Sequence, residues 1–154
     1  MSGQGSVPLP SVTLHGTCVA LEGKGVLLRG PSGAGKSDLA LRLIERGARL
    51  VADDQVVLTR EGDSLLASAP PALAGLMEVR GLGILRFEAL AEVLLALVVD
   101  LVPAETVERM PLPGQATIAD TSLSHIAVTP FEPSAAIKVA LALGAATGTV
   151  EVIR

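Results

Sequence analysis

The stretch Gly30-Pro31-Ser32-Gly33-Ala34-Gly35-Lys36-Ser37 constrains the fold of this chain more than any other. It matches G-x-x-x-x-G-K-[ST], the pattern of a phosphate-binding loop set between a strand and a helix. The flanks have the required character. Val26-Leu27-Leu28 reads as a buried strand, and Ser37 to Arg46 reads as a helix with Leu39, Leu43 and Ile44 on one face. The glycines let backbone N–H groups turn inward around phosphate oxygens. The helix N-terminus adds its partial positive charge. In such loops the lysine, here Lys36, reaches the β- and γ-phosphates, and the hydroxyl, here Ser37, ligates Mg²⁺. Gly30, Pro31, Ser32, Gly33, Ala34, Gly35, Lys36 and Ser37 are therefore the candidate nucleotide-binding residues.

The rest of the chain is unusual for such a loop. Val12–Leu14 and Thr17–Leu21 read as strands around His15-Gly16, and Glu22–Gly25 as a hairpin turn. Gly47 is placed to stop the first helix. Leu50-Val51-Ala52 reads as a short buried strand ending in Asp53-Asp54. Val56–Thr59 and Leu65–Ala69 flank a second hairpin turn, and Pro70-Pro71 closes it. Ala72–Met77 reads as a helical turn, the Gly81–Gly83 region as a loop, and Ile84–Phe87 and Leu94–Leu101 as strands. Pro103–Ala119 reads as irregular. His125–Thr129 is a strand, and Pro133 is placed at the first position of a helix running to about Leu143. Thr149–Ile153 is a short tail. Strands outnumber helices, so the expected fold is α/β with a mixed, largely antiparallel sheet and few helices, the helix after the loop packing on one face.

Length and composition narrow the class. At 154 residues the natural count is one domain over 1–154, with Met1–Pro10 a flexible lead-in that lacks a signal-peptide pattern. With two Phe, no Trp and no Tyr, the chain has too few aromatic faces for the serial stacking that single-stranded nucleic-acid binders use, which speaks against that class. A net charge of −4 speaks against binding a phosphate backbone. The longest apolar run, Val93–Val102, is too short to span a membrane and holds Asp100. The single cysteine, Cys18, cannot form an internal disulfide and fits a reducing cytoplasm. It sits in an apolar strand and is read as a packing residue.

Three further elements can carry chemistry. Asp53-Asp54 follows the P-loop by one helix and one strand, the spacing of a second strand beside the P-loop strand. In an extended strand the two side chains point to opposite faces. One could then approach a metal or its waters and the other accept a proton from an attacking hydroxyl. A solvated turn is the alternative. Glu78 and Arg80 alternate in Met77-Glu78-Val79-Arg80-Gly81-Leu82-Gly83-Ile84, as a site pair or as a surface ion pair before a loop. His15 is a catalytic assistant or a structural residue.

In order and spacing, His15-Gly16, the P-loop, Leu50-Val51-Ala52-Asp53-Asp54 and Glu78-Val79-Arg80-Gly81-Leu82-Gly83-Ile84 together resemble the catalytic domain of bacterial HPr kinase/phosphorylase. The resemblance is clearest from His15 to Leu101. It implies a scaffold similar to the nucleotide-binding part of phosphoenolpyruvate carboxykinase. It implies an ATP-dependent protein serine kinase whose substrate is HPr, the small phosphocarrier protein of the sugar phosphotransferase system. The reverse reaction would remove the phosphoryl group with inorganic phosphate. Carried over by position, Asp54 is the general base, His15 its assistant and Lys36 the phosphate ligand. Ser37 and Glu78 are Mg²⁺ ligands, and Asp53 lies beside the metal or its waters. Arg80 and Arg109 complete the cation cluster. The implied partners are an HPr-type carrier and further copies of the chain, hexameric in the family, with no nucleic acid and no membrane.

The chain departs from that pattern in three places. Too few residues precede His15 for the family's N-terminal domain, so it resembles the short forms. Asp38 follows the P-loop serine where a glutamate is usual. Thr129-Pro130-Phe131-Glu132-Pro133-Ser134 stands where the family has a P-V-x-P-G-R-N-like segment tied to phosphorylase activity. The kinase direction is therefore expected and the reverse direction doubted. Two other classes fit the same residues: a P-loop kinase of a small-molecule hydroxyl, and a non-catalytic nucleotide-sensing module.

Overall fold

Short strands joined by tight turns build most of the molecule. The computed structural model describes residues 11–154. The lead-in expected over Met1–Pro10 lies outside the described residues. The chain begins with β1 (Ser11–His15), β2 (Thr17–Leu21) and β3 (Lys24–Arg29), then the P-loop and α1 (Lys36–Glu45). Next come β4 (Arg49–Ala52), β5 (Gln55–Glu61), β6 (Ser64–Ser68), and the hairpin of β7 (Leu76–Val79) with β8 (Gly83–Arg86). The long strand β9 (Glu92–Leu101), the hairpin of β10 (Gly114–Ile118) with β11 (Thr121–Val128), and α2 (Ala135–Thr147) complete it.

The main sheet runs β1-β5-β6-β9-β3-β2-β4, with β11 also on β9 and β10 on β11. Among the described residues only the β3–β9 and β9–β11 pairings are parallel. The expected fold class, α/β with a largely antiparallel sheet and few helices, holds. Alternation along the strands divides the core in two. Val26 and Leu28 of β3 and Leu97 and Val99 of β9 face Leu39 and Leu43 of α1 and Val139 and Leu143 of α2. Leu27 and Val98 face the other way, into a core whose buried members come only from strands, including Cys18, Val56, Leu58, Leu65 and Leu123. Cys18 is fully buried there, and burial pushes its thiol up to about 12, so it packs and does not react.

The structure corrects five local expectations. β4 pairs with β2, not with the P-loop strand, because the tight β2–β3 hairpin already places β2 at that edge of β3. The helical turn expected over Ala72–Met77 is a single 3₁₀ turn at Pro71–Leu73. Gly75, at φ 76°, ends it, and Met77 enters β7. The Gly81–Gly83 region is the turn of a real hairpin, with the Leu82 N–H bonded to the Val79 carbonyl at 2.9 Å. Residues 114–118 are strand, not irregular. Their turn, Ala119-Asp120 at φ 48° and 60°, is of the two-residue kind with both residues left-handed, without the glycine that would announce it. Pro133 precedes the N-cap Ser134; it occupies the second position of a turn closed by Ala135 N–H on the Glu132 carbonyl at 3.1 Å, which suits its fixed φ.

One polar cluster ties three neighbouring strands just before the P-loop. Arg29 Nε donates to Asp100 Oδ1 at 2.8 Å and Nη2 to Oδ2 at 3.0 Å, while His125 Nε2 lies 2.7 Å from Oδ2. Burial pushes the Asp100 carboxyl up, but hydrogen bonds and positive charge from Arg29 and His125 outweigh it and hold the group below its ordinary value. A carboxylate depressed in the fold contributes stability that is present above its unfolded pKa, about 3.9, and lost as pH falls through the folded value. Asp100→Ala is expected to lower the unfolding free energy by about 2 kcal/mol at pH 7, leaving Arg29 and His125 half-buried without their partner. Urea titrations at pH 7 and below 4 should show that deficit shrinking in acid.

Candidate active site

The P-loop follows β3 at the centre of the sheet. Gly35 takes φ 103° as the N-cap of α1, a left-handed conformation no side chain adopts cheaply, and no side chain caps the helix. The first N–H groups of α1 therefore point outward with the positive end of the helix dipole, a ready anion site. Lys36 is buried, 7 % exposed, and its ammonium donates to the carbonyls of Gly30 at 2.6 Å and Pro31 at 3.0 Å. Burial pushes its pKa down, while the charges of Asp53 and Asp54 oppose the shift. More negative charge at this point would relieve the desolvated cation.

Asp53 and Asp54 lie just past β4, and the backbone separates them. The Gln55 N–H bonds to the Asp53 carbonyl at 2.8 Å, with Asp54 between them at φ 69°. An i→i+2 bond around a residue of positive φ is a γ-turn, a strained conformation that persists where surrounding contacts impose it. The Gly16 N–H on the Asp54 carbonyl, at 3.1 Å, is one such contact. Gly16 is required there: a Cβ would lie 3.0 Å from the Leu28 carbonyl oxygen and 3.3 Å from Leu27 Cδ1.

The turn gives the two carboxylates different partners. Asp53 is buried and its Oδ1 accepts from Thr17 Oγ1 at 2.8 Å and from Ser37 Oγ at 2.9 Å. Asp54 is exposed, with Oδ1 3.5 Å from His15 Nδ1; their side chains are 66 % and 47 % exposed. One aspartate backs the P-loop hydroxyl and the other stands open at the mouth.

A groove of about 640 Å³ collects these groups. His15, Lys36, Ser37, Asp53, Asp54, Glu78 and Arg80 all line it, together with Thr17, Leu41 and Phe131. Glu78 projects from β7, whose Met77 is buried against the helix-side core. Arg80 sits past the strand end, in the β7–β8 turn. Arg109 does not join the groove. It is exposed in the stretch between Pro103 and Pro113, which forms no ladder that would hold it toward the P-loop. Among the described residues no three His, Cys, Asp or Glu groups converge as a closed metal site. Ser37 and Asp53, with Glu78 lining the same groove, instead suit a hard cation completed by phosphate oxygens and water, the usual habit of Mg²⁺.

Thr17 is a site residue that the motif reading did not single out. Its position directly after His15-Gly16 was the available signal. It is fully buried, and its hydroxyl orients the same carboxylate oxygen that Ser37 uses. Thr17→Val keeps the shape and removes that bond. It is expected to cost about 1 kcal/mol in urea unfolding, because the buried Asp53 carboxylate loses one of its two hydroxyl donors.

This arrangement is that of a P-loop phosphate-binding domain built on a mostly antiparallel sheet. Residues 9–139 match the family model of the HPr Serine kinase C-terminal domain, and the chain belongs to that family. The HPr kinase/phosphorylase of Geobacillus kaustophilus is 40 % identical over 136 residues, covering 80 % of this chain and 43 % of that protein. The HPr kinase/phosphorylase of Peptoclostridium acidaminophilum is 57 % identical over 77 residues, 49 % of this chain and 25 % of that protein. The chain thus spans less than half the length of these curated relatives. The solved structure of the Hpr(Ser) kinase/phosphatase from Coxiella burnetii is similar with a TM-score of 0.74 and 27 % identity, over 83 % of this chain and 91 % of that one. Among the described residues no helix is long and apolar enough to cross a membrane.

Proposed function

We propose that this chain is an ATP-dependent protein kinase that phosphorylates a serine of an HPr-type phosphocarrier. The observation that carries the reading is the division between the two aspartates. Asp53 is tied to the P-loop hydroxyl, and Asp54 stands exposed with His15 at the mouth of the groove. An exposed base is reachable by a hydroxyl carried on a protein surface, whereas a kinase of a small molecule encloses its acceptor to exclude water. The relatives' names point the same way.

Phosphoryl transfer is mostly positioning and charge stabilisation. The N–H groups at the start of α1 and the Lys36 ammonium hold the β- and γ-phosphates of ATP. Ser37, Asp53 and Glu78 would hold Mg²⁺, which neutralises charge on the phosphate oxygens. Asp54 accepts the proton of the serine hydroxyl, with His15 orienting the carboxylate. Arg80 approaches the transferring group from the β7–β8 turn.

The kinase direction is the main one in this reading. Glu132 stands in the segment where the family's arginine is expected, and it pairs with Lys138 instead of offering a cation to phosphate. Cytoplasmic location and assembly into a homo-oligomer belong to the same reading. Incubation with γ-labelled ATP and Mg²⁺ should transfer label to an HPr-type carrier and not to a carrier whose acceptor serine is alanine. Equal labelling of both carriers would refute the serine assignment. Transfer to a small hydroxyl compound in preference to either would favour the small-molecule alternative.

A further inference from the structure

Phe131 is 70 % exposed at the edge of the groove, yet its backbone is held from both sides. Arg42 of α1 donates to the carbonyl of Pro130, and through Nη1 to that of Glu132 at 3.4 Å. Asp38, one turn earlier on the helix, holds the same guanidinium at 3.1 Å. The ring lies against the P-loop: a Cβ on Gly35 would sit 2.9 Å from Phe131 Cζ and 3.1 Å from Cε1. Leu41, one turn on from Ser37, lines the same groove. The other aromatic residue of the chain, Phe87, packs against the helix-side core. An apolar ring tethered in water beside a phosphate loop gains most when a flat apolar group covers it.

We propose that Phe131 is the platform on which the nucleobase of the bound nucleotide stacks, and that Arg42 is the positioning residue that holds it beside the P-loop. The inference rests on the nucleotide reading above and adds the means by which the base, as distinct from the phosphates, is gripped. Stacking is tolerant of base identity, so the platform favours nucleotides over bare phosphates without strong choice among bases.

Calorimetric titration of the full chain with Mg-ADP and with Mg-pyrophosphate separates the two contributions. Wild type is expected to bind ADP more tightly than pyrophosphate. Phe131→Ala should weaken ADP about 10-fold or more and leave pyrophosphate unchanged, and Phe131→Trp should restore ADP binding. Arg42→Gln should weaken ADP selectively too, and adding it to Phe131→Ala should cost nothing further, because both changes remove one device. Unchanged ADP affinity in Phe131→Ala, or an equal loss for both ligands, would overturn the platform. An effect of Phe131→Ala on the KM for the protein acceptor alone would overturn it in favour of a docking role. A wild-type protein that binds neither ligand would defeat the nucleotide reading itself, and the platform with it.

Discussion

Replacing Lys36 by methionine is expected to lower phosphoryl transfer by about 10³-fold while leaving the protein folded. Lys36 is the one buried cation among the described residues. Its ammonium rests on the Gly30 and Pro31 carbonyls, in a place where burial already pushes its pKa down. A phosphate arriving there supplies the opposite charge the group lacks, and the developing charge of the transition state strengthens the contact further. Methionine keeps an unbranched stem and discards the charge, so circular dichroism and thermal melting should change little while the Kd for Mg-ADP rises about 10-fold. Lys36→Arg should not rescue transfer, because a planar fork does not fit the space of a compact ammonium. A Lys36→Met protein with near wild-type turnover would remove the P-loop from the mechanism.

Asp54→Asn is expected to reduce turnover by about 10²- to 10⁴-fold, the usual contribution of a positioned base, with Mg-ADP affinity unchanged. Asparagine tolerates the left-handed backbone that Asp54 occupies at φ 69°, so the turn survives and only the carboxylate is lost. Asp53→Asn should behave differently. It weakens the acceptor for Thr17 and Ser37, so the Mg²⁺ requirement rises along with the loss of rate. Calorimetry and steady-state kinetics on the two variants, side by side, read the division directly. Identical phenotypes would mean that the two aspartates share one role.

The strand-loop-helix around Lys36 was legible because motif and helical period coincide there. The excess of short strands, and hence the antiparallel sheet, followed from turn residues at close spacing. Less accessible were features that depend on how distant segments meet. Adjacency of Asp53 and Asp54 suggested opposite faces of a strand, but a γ-turn past the strand end sends one to Ser37 and the other toward His15. β10 hid behind Pro111 and Pro113 and a turn without glycine. Thr17 gains its role from Asp53, 36 positions away, and Arg42 reaches Pro130 and Glu132 across the fold. Arg109 had only its place along the chain to recommend it, with no motif around it, and the fold leaves it outside the groove.

The central claim is tested most directly by the intact mass of an HPr-type carrier after incubation with the protein, ATP and Mg²⁺, with the Asp54→Asn protein run in parallel. A gain of one phosphoryl group, located on a serine and absent with Asp54→Asn, is the predicted result. An unmodified carrier, under conditions where the wild-type protein demonstrably binds Mg-ADP, would contradict it.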